Sequence, residues 1–367
     1  MKILFLTNIP SPYRVKFFNE LGKKCDLTVL YERKQAENRD KSWNNYCACN
    51  YKEIFLKGKI VGEEGAICVG VLRYLKMRKY THIIICGYGT PTSKLAILWL
   101  KIHYIPFIMN VDGGLIKEEK RIKYMVKRFF IQSAVLWFST GEKTTEFLVH
   151  YGADKKRCYK YLFSSFMKGE ILDKVVSEEE KLVLKENLHI KEKKMVLSVG
   201  QFIYRKGFDI LLRIAKDFPE NTATVIIGGE PTKEYLSIVE KYKLKHIYFI
   251  GFKEKEELAK YYMAADVFVF PTREDIWGLV INEAMSYGLP VIVSNKCVAG
   301  AELIESGRCG YQITLENQRL LLEKTKELLL DNRLRRKMAE ESLKKIKNYS
   351  IENMAEDYIK ILTDYIK

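Results

Sequence analysis

The chain has 367 residues, enough for two domains, and its 47% hydrophobic content with only 22 glycines and 8 prolines excludes a disordered, collagen-like or low-complexity protein. No uninterrupted apolar run of about 18 residues occurs, which excludes a membrane-spanning helix. The net charge of +16 is one-sided: residues 1–170 hold 30 Lys and Arg against 15 Asp and Glu, an excess of +15, whereas 171–367 hold 32 against 31. Such asymmetry suggests that the first half faces a polyanion.

The apolar start at 2–7 reaches Asn8 and Pro10 too early for a signal peptide and lacks a small-residue cleavage site, so a cytoplasmic protein is expected. The eight cysteines fit that expectation. Only Cys47 and Cys49 are close, there is no CxxC pair, and His82, His103, His150, His189 and His246 are far apart. Structural zinc is not expected, and most thiols read as small buried hydrophobes.

Strands are predicted at 2–7, 27–31, 81–86, 106–111 and 134–139, alternating with segments of helical period. That rhythm implies parallel strands joined by crossover helices. The loop after the first strand, Asn8-Ile9-Pro10-Ser11-Pro12-Tyr13-Arg14, is stiffened by its prolines and is either an ordinary turn or one wall of a site. Tyr88-Gly89-Thr90-Pro91-Thr92 is a further strand-end loop without an assigned role, and Asp112-Gly113-Gly114 ends the strand at 106–111. The segments 73–79 and 121–130 each combine one cationic and one apolar stripe at helical spacing. Each reads as a helix with its apolar face in the core or, repeated in the basic half, as a surface for an anionic membrane.

A charged stretch at 177–194 reads as a helical connector, after which strands recur at 195–199, 223–227, 247–250, 267–270 and 290–294. Two sets of about five strands imply two Rossmann-like α/β domains, with the boundary between 165 and 195 and the domains taken as 1–170 and 171–367. Ligands are expected in a cleft at the carboxyl ends of the strands. The end, 331–367, is helical in period and is expected to cross back to the first domain.

The densest chemical signal runs from Phe270 to Met285. A strand ends, Pro271 breaks it, and a helix begins near Gly278, so the amides of Gly278, Leu279 and Val280 form an anion site. Asp275 and Glu283 stand eight apart; they either hold vicinal hydroxyls of a ribose or sugar, or complement the helix dipole. A second signal, from Ser198 to Asp209, places Gly200, Gln201, Arg205, Lys206 and Gly207 at another strand end, where cations can neutralise a diphosphate or form a solvated basic loop.

With these residues in view, the sequence resembles the retaining glycosyltransferases of family 4, most strongly from 195 to 313. The matching elements are the Ser-Val-Gly…Lys-Gly segment at 198–207, Gly251, the run at 261–267, the two acids, Gly-Leu-Pro-Val-Ile at 288–292, and Gly310-Tyr311. The resemblance implies the GT-B fold and sugar transfer from a nucleotide-sugar, UDP-sugar in the first instance, to a saccharide or lipid-linked saccharide in surface-polysaccharide biosynthesis. It implies that Lys206 binds the donor diphosphate with the amides at 278–280, that Glu283 holds the ribose, and that the first acid lies near the donor sugar. Relatives carry Glu three residues before the glycine; Asp275 stands there, with Glu274 beside it, and the role is open between them. Relatives often carry Arg after Val-Gly; here Gln201 follows, and Arg205 offers the charge. In the first half Asp112 would contact the donor sugar or the attacking hydroxyl, and Pro12, Tyr13 and Arg14 would shape the acceptor side.

The family's same-face displacement lets the leaving phosphate take the acceptor proton, so neither a protein base nor a metal is expected, and no cofactor. No Asp-x-Asp motif occurs. A sugar-nucleotide epimerase of the same fold, or a non-catalytic relative, is the alternative. A nucleic-acid-binding protein is a third reading, without any recognisable motif for it. The expected partners are the nucleotide-sugar, the acceptor and an anionic membrane surface at the inner face of the cell membrane, with no nucleic acid.

Overall fold

The ten apolar runs read as strands are all strands, each within two residues of its expected limits. They are seen in a computed structural model that describes residues 1–35, 46–62, 65–77 and 79–366. Contacts divide the chain into two units, Met1–Ser165 with Ser350–Lys367, and Phe166–Tyr349.

In the first unit the elements run β1 (Lys2–Thr7), α1 (Pro12–Gly22), β2 (Asp26–Tyr31), β3 (Lys52–Phe55), the hairpin β4 (Lys59–Val61) and β5 (Gly65–Ile67), α2 (Val71–Lys76), β6 (His82–Cys86), α3 (Pro91–Ile102), β7 (Ile108–Val111), α4 (Arg121–Ile131), β8 (Leu136–Ser139), α5 (Glu142–His150) and β9 (Cys158–Lys160). Seven strands form one parallel sheet in the order β3-β2-β1-β6-β7-β8-β9. The order reverses between β1 and β6, the kind of switch point at which doubly wound sheets bind ligands. Alternation along β1 sends Leu4 and Leu6 to a core with Val71, Leu75, Ile97 and Leu100, while Phe5 meets Phe18 on the other face.

The second unit runs α6 (Glu178–Asn187), β10 (Lys194–Val199), α7 (Phe208–Ala215), β11 (Thr222–Ile227), α8 (Lys233–Lys241), β12 (Ile247–Ile250), α9 (Lys255–Ala264), β13 (Val267–Phe270), α10 (Leu279–Ser286), β14 (Val291–Ser294), α11 (Val298–Leu303), β15 (Gly310–Ile313), α12 (Gln318–Leu330) and α13 (Asn332–Ile346). Its six parallel strands take the order β12-β11-β10-β13-β14-β15, with the switch between β10 and β13.

Some expectations are corrected. The connector is helical only over Glu178–Asn187, opened by a capping box in which Ser177 and Glu180 bond each other's backbone amides. The last helix, α14 (Ile351–Ile366), belongs to the first unit, in line with the expected return of the chain's end, but the first unit ends its N-terminal part at Ser165 rather than 170 and the second stops at Tyr349. Its buried Ile351, Met354, Ala355, Tyr358 and Leu362 recur at helical spacing, and α1 packs against it through Phe17. Cys47 and Cys49 are joined in a disulfide, and of the other thiols Cys68, Cys297 and Cys309 are buried while Cys25, Cys86 and Cys158 are only partly so.

Candidate active site

At the switch point of the second sheet, two loops are bonded into one platform. The first leaves β10 at Gly200, passes the exposed Gln201 and makes a single 3-10 turn at Tyr204–Lys206. Gly207 then adopts φ 71°, and a Cβ there would lie 2.0 Å from the Pro271 carbonyl oxygen. Only glycine permits both the conformation and the approach. The second loop leaves β13 at Phe270. Its Arg273 amide donates to the Arg205 carbonyl (2.8 Å), and the Arg273 guanidinium grips the buried Asp209 carboxylate with two bonds of 2.7 and 2.8 Å. The same guanidinium lies 3.8 Å from the Tyr204 ring centroid.

This bracing brings the two predicted segments together. Lys206 Nζ donates to Asp275 Oδ2 at 2.6 Å and sits 5.0 Å from the centre of the Phe270 ring. Arg205 Nη1 bonds the Glu274 carbonyl oxygen (2.9 Å) and lies 3.9 Å from Asp275 Oδ1. Of the two neighbouring acids, Asp275 presents its carboxylate to Lys206; Glu274 is half-buried and receives Arg205 on its backbone. Asp275 is 7% exposed, and its backbone is pinned by bonds from its amide to Lys296 O and from Val298 N to its carbonyl.

Gly278 caps α10 with φ 97°, and a Cβ there would come within 2.7 Å of Cys297 Sγ. The amides of Gly278, Leu279 and Val280 precede the first intrahelical bond, from Ile281 N to Gly278 O (2.9 Å), and so belong to the helix start that can bind an anion. Glu283 stands on the second turn and accepts a bond from Tyr262 Oη at 2.8 Å. Burial raises its pKa, opposed by that bond and by the Lys255 charge. Gly251 follows β12, and a Cβ there would meet nothing within 4 Å, so the packing of the chain itself does not require glycine at that point.

At the switch point of the first sheet, the assembly is buried. Arg14, in the first turn of α1, is 2% exposed and binds both oxygens of Asp112, which follows β7 and keeps 24% of its side chain accessible. Asn110 Nδ2 and Tyr161 Oη also donate to Asp112 Oδ1, at 2.7 and 3.0 Å. Pro12 is exposed at the helix start, and Tyr13, half-buried, packs edge-on against Phe163. The loop at 88–92 has a structural role. Thr90 caps α3 and donates to the buried Glu32, whose other oxygen accepts from Ala66 N (3.0 Å), while Thr92 bonds the Ala66 carbonyl (2.6 Å). Among the described residues, no three His, Cys, Asp or Glu side chains stand together in a way that could hold a metal.

The family described as Glycosyl transferases group 1 matches residues 180–345, nearly the whole second unit. Residues 180–345 are a group 1 glycosyltransferase domain. An uncharacterized 41.2 kDa protein in the cps region of Klebsiella pneumoniae is 29% identical over 288 residues, 76% of this chain and 77% of that one. The N,N'-diacetylbacillosaminyl-diphospho-undecaprenol alpha-1,3-N-acetylgalactosaminyltransferase of Campylobacter jejuni is 23% identical over 281 residues, 74% of each. In three dimensions the chain is similar to Anabaena HepE in complex with UDP and glucose, with a TM-score of 0.77 and 16% identity over 99% of this chain and 100% of that one. The fold of the chain is GT-B.

One surface differs from its simpler reading. The apolar stripe of α4 faces outwards: Ile122, Met125, Val126 and Phe129, at i, i+3, i+4 and i+7, are between 37% and 79% exposed. Arg121, Lys123 and Arg128 are exposed beside them, whereas Lys127 is drawn into a 2.7 Å ion pair with Glu119. On α2, Arg73 and Lys76 are exposed over buried Val71 and Leu75; Arg78 lies outside the described residues. No helix among the described residues is long and apolar enough to cross a membrane.

Sequence reasoning gave no role to Thr272, whose hydroxyl bonds the Arg205 and Glu274 carbonyls (2.9 and 3.0 Å), or to Arg273, Asp209 and Tyr262. Arg273 lies within the quoted motif, but its partner is 64 residues away, and no spacing in the sequence announces that pairing.

Proposed function

We propose that this chain is a glycosyltransferase that moves a sugar from a UDP-sugar, with retention and without a metal, to a saccharide or lipid-linked saccharide in surface-polysaccharide biosynthesis. The observation that carries the reading is the joining of Lys206, Asp275 and the start of α10 on one sheet edge. Lys206, Arg205 and the amides at 278–280 would bind the diphosphate, and Glu283 would accept bonds from the ribose hydroxyls. Gly200, Gln201 and Gly251 would line the nucleotide's approach. Asp275 orients Lys206 and would meet the donor sugar, with Glu274 beside it. Asp112 would accept a bond from a sugar or acceptor hydroxyl, with Pro12 and Tyr13 on the acceptor side.

In the reaction, the bond from the anomeric carbon to the phosphate oxygen breaks, and the acceptor oxygen bonds the same carbon from the same face. The acceptor proton passes to the leaving phosphate, whose growing charge the cations and amides stabilise. The UDP and glucose held by HepE and the diphospho-undecaprenol acceptor named for the Campylobacter enzyme support the donor and acceptor classes. Purified protein, offered UDP-sugars and saccharide acceptors with and without EDTA, should release UDP and form a product with the donor's anomeric configuration. Inverted product, or activity abolished by EDTA and restored by Mg²⁺, would overturn those parts of the reading.

The outward stripe of α4 supports peripheral attachment to an anionic bilayer. Apolar side chains enter the acyl boundary, and each nearby cation adds about 1 kcal/mol, weakened by salt. Co-sedimentation with anionic vesicles should be lost in the Ile122→Ser, Met125→Ser double variant and reduced in Lys123→Glu, Arg128→Glu. Binding indifferent to lipid charge and to both variants would leave a soluble acceptor as the better reading.

A further inference from the structure

The first unit holds a hydrogen-bonded chain that begins on its last helix and ends on Asp112. Tyr358 of α14 is fully buried among Phe138, Phe17 and Tyr161, with ring centroids 4.4, 4.7 and 4.8 Å away. Its hydroxyl donates to Asn110 Oδ1, and Asn110 is itself fully buried in β7. An amide has its acceptor on one side and its donors on the other. With Oδ1 claimed by Tyr358, Nδ2 is turned to Asp112 Oδ1 (2.7 Å) and towards Cys86 Sγ (3.8 Å). Were the amide reversed, its oxygen would face the Asp112 carboxylate, and two acceptors would oppose each other with no proton between them. Arg14 holds the carboxylate from the opposite element, reaching both oxygens from α1.

We propose that Tyr358 is a positioning residue for sugar transfer: it sets the Asn110 amide, and Asn110 with Arg14 fixes the plane of the Asp112 carboxylate that accepts a substrate hydroxyl. This rests on the reading of Asp112 given above and adds to it a specific mechanical link. Asp112 keeps only a quarter of its side chain accessible, so the direction of its remaining lone pairs is decided by the donors behind it. A hydroxyl approaching from the open side meets a carboxylate already oriented, which avoids reorganisation when the acceptor oxygen attacks.

The test is a double-mutant cycle between Tyr358→Phe and Asp112→Asn, read as kcat and KM for donor and acceptor. Phenylalanine keeps the ring packing and removes the donor alone. Tyr358→Phe should lower kcat by about 10-fold with the donor KM within about two-fold, and adding it to Asp112→Asn should lower kcat no further, because groups acting as one unit are non-additive. A purely structural role for Tyr358 would instead make the two losses multiply, and that result overturns the proposal, as does wild-type kcat in Tyr358→Phe. Unchanged kcat in Asp112→Asn overturns the role of Asp112 and the link with it, while UDP release by the wild type shows that the transferase reading stands. A second measurement is independent of turnover: the Asn110 side-chain amide resonances should shift in Tyr358→Phe, and an unmoved pair would equally overturn the link.

Discussion

The carboxyl edges of the two sheets carry comparable ion pairs in opposite settings. On the second sheet, Lys206 and Asp275 come from loops that follow neighbouring strands, and Arg205 beside them keeps 41% of its side chain exposed. On the first, Arg14 is almost wholly enclosed, and its carboxylate partner is held by groups from α1, β7, the segment after β9 and, through Asn110, α14. The first arrangement leaves Arg205 available to an incoming anion, with Lys206 12% exposed beside it. The second consumes its cation in fixing a carboxylate. One edge is built to receive charge and the other to present it.

The largest effect that would sharpen this contrast is on stability. Arg14→Met should destabilise the protein by about 3 kcal/mol in chemical denaturation, the lower end of what breaking a buried pair costs, since Asp112 retains some contact with water. Arg205→Met should cost less than about 1 kcal/mol, as exposed pairs do. Equal losses would break the comparison. On activity the order reverses. Lys206→Ala should lower kcat by about 10²-fold or more in protein that still folds, the scale of one pre-organised charge stabiliser; turnover within a few-fold of wild type would remove Lys206 from the site.

A smaller effect concerns Glu283. Glu283→Gln should weaken UDP binding by roughly 1.5–3 kcal/mol in titration calorimetry, through loss of charge-assisted bonds to the ribose. Because burial raises the Glu283 pKa, the carboxylate takes its proton at a higher pH than an exposed glutamate would. UDP affinity should therefore fall as pH is lowered through that raised pKa, and this response should be absent in Glu283→Gln. An identical pH profile in both proteins would make Glu283 a structural residue of α10.

The same contrast explains what could be read in advance. Most of the parallel strands are continuous apolar runs, so ten were visible, whereas the edge strands β3, β9 and β15 carry Lys52, Glu53, Lys160 and Gln312 and show no such run. The Lys206 platform was legible because its parts fall in two contiguous segments, each punctuated by a glycine with positive φ. The Asp112 assembly draws on residues 14, 110, 112, 161 and 358, and only the fold makes them neighbours. The stripe of α4 was visible as a stripe, but whether it faced the core or the outside depended on which neighbours covered it.

The membership of α14 in the first unit has a consequence for synthesis. Between Ser165 and Ser350 the ribosome must make the whole second unit, which at about 5–20 residues per second takes on the order of 10 to 40 s. Throughout that interval Phe17 and Phe138 await Tyr358, and the face of the first sheet that α14 will cover stays open to other apolar surfaces. The second unit can complete its own core first, although its gene segment comes later. Growth of the chain and closure of its domains thus run in different orders.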